Sequence, residues 1–136
     1  MNSKLLLAGI VIVALVAIGS LQLANITGYA ASSTGNFEVT VNIENGAGTA
    51  TYKTTVTPRE TAFDALKRVA TVDYRIYSTG ALITAINGLK QDSGHYWVYF
   101  VNGNMPQVGC DYYHPNDGDA ITFRYLTTEE AADYFK

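Results

Sequence analysis

The sequence predicts an α+β domain in which one helix crosses one mixed sheet. Three observations carry this. Strand-like alternation opens and closes the region between Phe37 and Leu126. One segment, from Thr61 to about Thr71, changes to a helical period instead. Finally, Tyr96-Trp97-Val98-Tyr99-Phe100 packs four aromatics into five residues and runs through Val101 to Asn102-Gly103. Asn-Gly supplies the two φ > 0 residues that a type I′ turn needs.

Each element follows in order. Phe37, Val39, Val41 and Ile43 alternate with Glu38, Thr40, Asn42 and Glu44, the pattern of a half-buried strand. Asn45-Gly46-Ala47-Gly48 turns the chain, and Thr49–Thr57 pairs back as a hairpin. Phe63, Leu66, Val69 and Ala70 recur at helical spacing. Thr61 with Asp64 forms a capping box, and Thr57-Pro58 with Glu60 is a competing start. Asp73 to Gly80 reads as an irregular connector, and Leu82–Ile86 as a short strand closed by Asn87-Gly88. Lys90–Gly94 is a polar loop, followed by the aromatic strand. Asn102–Gly109 is loop-like, Cys110–His114 is ambiguous, and Pro115–Asp119 is a turn. Ala120–Leu126 is the last strand, and residues 127–136 form a short terminal helix capped by Thr127 and Glu130.

The first thirty residues differ in kind. Lys4 precedes an apolar run from Leu5 to Ala24, and Gly28-Tyr29-Ala30 is a small-x-small site before Ala31. Residues 1–30 are therefore a secretory signal peptide or, alternatively, a retained transmembrane anchor at the N-terminus. Either places the rest of the chain outside the cell, secreted or tethered to the membrane by that segment alone. Residues 31–36 form a polar linker to a domain over residues 37–126. Nine Lys and Arg against twelve Asp and Glu give a net charge of −3, with no basic stripe, so nucleic acid is excluded as a partner. A single cysteine, Cys110, excludes an intramolecular disulfide, and the fold must rest on its apolar core.

Four motifs stand in order: Thr61-Ala62-Phe63-Asp64-Ala65-Leu66-Lys67; Gly80 with Ile83-Thr84-Ala85-Ile86-Asn87-Gly88; Tyr96 to Gly103; and Val108-Gly109, Tyr112, Asp117-Gly118-Asp119, Ile121 and Phe123-Arg124-Tyr125. Together they resemble the β-grasp domain family of unknown function that is similar to the C-terminal β-domain of transcobalamin and intrinsic factor. The resemblance covers nearly all of Phe37 to Tyr125. It implies a β-grasp, ubiquitin-like sheet and an extracellular domain that binds a small soluble ligand, with cobalamin as the candidate. Carried over by position, Trp97, Asn102 and Gly103 match best, then Gly109 and Tyr112. The chain departs from the carriers in having Leu82 where they tend to have an aromatic, and in lacking their large helical domain.

The aromatic strand has apolar residues on both faces, so one face can fill a core while the other meets a ligand or a partner. We place Trp97 and Tyr99 on the outward face, beside the 102–112 loop. His95, His114, Asp111, Asp117 and Asp119 are the candidate metal ligands, but they lack zinc or EF-hand spacing, and turn chemistry accounts for the aspartates. His95, Cys110 and Arg124 occur in the order that sortases use, yet the chain is too short for that barrel, and Asp111 would blunt the thiol. The expectation is therefore a non-enzymatic binding domain with no certain cofactor. Its predicted site is Trp97, Tyr99, Asn102, Gly103, Gly109 and Tyr112. The alternative is a structural or adhesion module whose aromatic face docks another cell-surface protein or a second copy.

Overall fold

A computed structural model describes residues 35–136, so the expected signal peptide or anchor and most of the expected linker lie outside the described residues. The element order is β1 (Phe37–Glu44), β2 (Thr49–Val56), α1 (Ala62–Val69), β3 (Val72–Tyr77), β4 (Gly80–Ile86), β5 (Leu89–Lys90), β6 (His95–Val101), β7 (Ala120–Thr127) and α2 (Thr128–Tyr134). The class is α+β, but the strands form two sheets where the sequence predicts one. A four-stranded sheet has the order β2-β1-β7-β6, and a three-stranded sheet the order β3-β4-β5. In the larger sheet β1 pairs parallel to β7, while the outer pairs are antiparallel.

The first hairpin closes as its sequence requires. Asn45 Oδ1 accepts from the amides of Ala47 and Gly48 at 2.9 and 3.0 Å. Val39, Val41 and Ile43 point inward, and Tyr52 and Val56 join them from β2. Helix α1 lays Ala62, Phe63, Ala65 and Leu66 against this face. Its start is the predicted one. Thr61 accepts from the Asp64 amide, and Asp64 Oδ2 accepts in return from the Thr61 amide at 2.9 Å. The competing start at Thr57 is a turn instead, closed by Glu60 N–H to Thr57 O at 3.1 Å.

The predicted connector after the helix is in fact β3, hydrogen-bonded along its length to β4. Nearly all of its side chains are exposed, so no inward–outward alternation marks it in the sequence. Both Asn-Gly turns form, with Asn87 and Gly88 at φ 50° and 83° and Asn102 and Gly103 at 51° and 83°. The first joins β4 to β5. The second returns through only a single bridge, Val101 to Asn104, and a long loop then leads to β7.

That loop is fastened at several points. Asp119 is buried and accepts from Asn102 Nδ2 at 2.9 Å, Tyr113 OH at 3.1 Å and the Asn116 amide at 2.8 Å. The carbonyls of Tyr113 and Cys110 accept from the Ala62 and Phe63 amides, both at 2.9 Å. Asp117 accepts from the Glu38 amide at 2.8 Å, which ties the loop to β1 as well. On the opposite face of the large sheet, Phe100 and Leu126 pack under Ala131 of α2. Thr127 caps α2 by accepting from the Glu130 amide at 3.2 Å. Among the described residues no helix is long and apolar enough to cross a membrane.

Removing the Asp119 carboxylate strands the Tyr113 hydroxyl and the Asn102 amide. Asp119→Ala is therefore expected to cost about 3 kcal/mol, against about 1 kcal/mol for the helix-cap change Thr61→Ala. Urea unfolding of the two variants checks the ranking, which fails if Asp119→Ala is the milder change.

Candidate functional site

β6 is the edge strand of the larger sheet, and a cleft of about 260 Å³ runs beside it. Trp97 and Tyr99 line it from β6, Leu82 from β4, and Pro106, Val108 and Cys110 from the loop. Leu82 and Val108 stand exposed at the rim, whereas Trp97 is only 7% exposed.

Trp97 and Tyr99 do not face outward as the sequence predicts. Both sit on the core side of the sheet, and it is Val98 and Phe100 that face outward, toward α2 and Met105. The reason lies in their partners. Trp97 is paired with Tyr125 across the strands, with ring centroids 5.0 Å apart. Trp97 Nε1 donates to Leu89 O at 2.9 Å, and Tyr125 OH donates to Lys90 O at 2.6 Å. These two aromatics thus hold β5, and with it the smaller sheet, against the larger one. Tyr99 stacks on Phe123 and donates its hydroxyl to Val108 O, which pins the loop at the cleft wall. Burial, followed by the ionisable groups of Cys110, Tyr113 and Asp111, raises the Tyr99 phenol, so it remains a donor. The polar groups of both rings are therefore satisfied by the protein, and the cleft is presented with apolar ring surface.

The other predicted site residues divide. Gly109 is in the cleft wall, where a Cβ would stand 2.9 Å from Asp111 Oδ1. Tyr112 is exposed and lies over Gly80 and Gly109, outside the cleft lining. Asn102 and Gly103 are also outside it. Asn102 is committed to Asp119 and to the Ala120 amide, which its Oδ1 accepts at 2.9 Å. Leu82, Pro106 and Val108 did not emerge from the sequence as site residues. The available signal was Met105, Pro106 and Val108, apolar residues in a loop of otherwise polar character.

The candidate metal ligands are dispersed. His95 pairs with Asp92 at 3.0 Å, His114 meets Glu60 O, and Asp117 and Asp119 serve the loop. No group of three or more such side chains converges among the described residues. The His95, Cys110 and Arg124 set does not assemble either. Arg124 lies over Phe100 on the outer face and pairs with Glu44, whereas Cys110 is buried in the inner core.

Burial, reinforced by the Asp111 carboxylate, pushes the Cys110 thiol up to about 12 from its usual 9.0. The folded state thus holds this proton more tightly than the unfolded chain does. The resulting stability is complete below pH 9 and is lost as pH rises from 9 toward 12. Unfolding free energy should fall across that interval, and Cys110→Ala should show a shallower fall. Equal slopes in denaturant titrations at several pH values would contradict this.

No curated protein matches the chain. Among solved structures, a protein of Ruminococcus gnavus ATCC 29149, named as a candidate metal binder, matches with a TM-score of 0.61 at 19% identity, covering 67% of this chain and 97% of that one. Haptocorrin in complex with Cbi matches with a TM-score of 0.64 at 17% identity. That match covers 69% of this chain but only 26% of the haptocorrin chain. At such identities the likeness is one of fold alone. The family model described as a domain of unknown function, DUF4430, matches residues 60–127, half of the chain. Those residues contain α1, both aromatic ties, the fastened loop and all of the cleft lining except Phe135. The chain is a member of the DUF4430 family.

Proposed function

We propose that this chain is an exported, non-enzymatic β-grasp domain that binds a small flat or apolar ligand in the cleft beside β6. The sheet order β2-β1-β7-β6, with its parallel central pair and crossing helix, supports the β-grasp reading. The observation that carries the function is the cleft lining itself. Tyr99, with Leu82 and Val108 at the rim, offers apolar surface over the buried Trp97, and the polar groups of both rings are already engaged, so a ligand has no donor there to satisfy. The likeness to haptocorrin, solved with a ligand bound, supports a ligand at this fold. At about 260 Å³ the cleft suits the edge or arm of a corrinoid such as cobalamin better than its whole body.

A second reading has its own observation. On β3, an edge strand, Tyr74 and Ile76 share one face and are 45% and 65% exposed. Such a strip suits a docking module that meets another surface protein or a second copy.

The chain has a single tryptophan, so Trp97 reports on the cleft directly. Cobalamin added to the full chain should change its emission saturably, and Val108→Asp at the exposed rim should remove the change. No response up to about 1 mM would eliminate the corrinoid. Self-association at high concentration that is lost in Ile76→Asp would favour the docking module.

A further inference from the structure

A second cleft, of about 450 Å³, opens on the three-stranded sheet, and its chemistry is different. Asp73 and Arg75 line it from β3, Leu82 and Thr84 from β4, and Lys90 and Gln91 from the end of β5. The register explains how it forms. Asp73, Ala85 and Lys90 are cross-strand neighbours in one row. Neighbouring strands place paired residues about 5 Å apart, so Asp73 and Lys90 stand about 10 Å apart across the small Ala85. The pairing skips Thr84 between Asp73–Ala85 and Tyr74–Ile83, which makes Thr84 the extra residue of a β-bulge. A bulge re-aims the side chains around it, and here Thr84 and Ala85 both line the cleft.

The charges in this cleft are unusual for the molecule. The described residues include eight Lys and Arg, and Lys53, Lys67, Arg68, Arg124 and Lys136 are in ion pairs. Of the remaining three, Arg75 and Lys90 line this one cleft. Asp73 also has no ion-pair partner among the described residues, although it shares the cleft with both cations. Gln91 Oε1 is buried with no hydrogen-bond partner. Two cations and one carboxylate thus line a single opening without pairing with one another.

We propose that this cleft binds a small zwitterion of the amino-acid or short-peptide class. Its carboxylate sits between Arg75 and Lys90. Its ammonium meets Asp73. A molecule with charge of only one sign leaves either the cations or the carboxylate without a partner, and each charge-assisted hydrogen bond so lost weakens binding.

Calorimetric titration of the full chain with apolar dipeptides, their N-acetylated forms and their C-amidated forms tests this. Free dipeptides should saturate, and blocking either end should weaken binding about tenfold. In Asp73→Asn the free and acetylated forms should bind alike. In Arg75→Gln and Lys90→Gln the free and amidated forms should bind alike. These positions are exposed, so an unchanged melting transition will accompany each variant. The proposal is overturned if no dipeptide saturates by about 10 mM or if blocking the ends changes nothing. It is equally overturned if Val108→Asp abolishes dipeptide binding while Lys90→Gln leaves it intact, which would move the site to the aromatic cleft.

Discussion

The first turn of a helix exposes backbone N–H groups that have no partner inside the helix. In this protein the Thr61 side chain serves the Asp64 amide, and the loop between β6 and β7 serves those of Ala62 and Phe63, through Tyr113 O and Cys110 O. The same loop is gathered at its ends by Asp119, which holds Asn102 at the exit of β6 and Tyr113 in mid-loop. A connection of this length carries a closure cost that grows slowly with its size. Here that cost is offset by hydrogen bonds the helix and the turn would otherwise lack. β7 can then lie between β1 and β6 as the centre of the sheet, although the chain reaches it last.

The proposed site is built on this fastening. Once the loop is held to α1, Cys110 enters the core and Gly109 and Val108 come up against Tyr99. The cleft wall is therefore set by the fold itself, and a ligand has little ordering left to supply. Trp97 and Tyr125 perform the matching task on the other side by binding the carbonyls of Leu89 and Lys90. The aromatic surplus of β6 thus has a double use. Its ring edges join the two sheets, and its ring faces line an opening.

Local chemistry made part of this legible in the sequence. The Thr61–Asp64 box, the Asn-Gly turns and the alternation of β1 are all decided by residues within a few positions of one another. β3 was hidden because Tyr74, Arg75, Ile76 and Tyr77 are all exposed, which removes the period that a half-buried strand displays. The faces of β6 were ambiguous for the opposite reason, since both are apolar. Only the cross-strand partners Phe123 and Tyr125 on one side, and α2 on the other, decide that Trp97 turns inward. Asn102 is a site residue only by carry-over from the family resemblance. Its bond to Asp119 spans seventeen positions in sequence, beyond the reach of any local pattern.

Native-state hydrogen exchange at single residues tests the central role of the fastened loop most directly. If the loop and the helix start form one unit, the amides of Ala62, Phe63, Asn116 and Ala120 will share one opening free energy. That free energy will match the value for the core amides of β7. Fast exchange of those four amides, while the Ala70 amide bonded to Leu66 O stays protected, would show that the helix stands without the loop and would contradict this account.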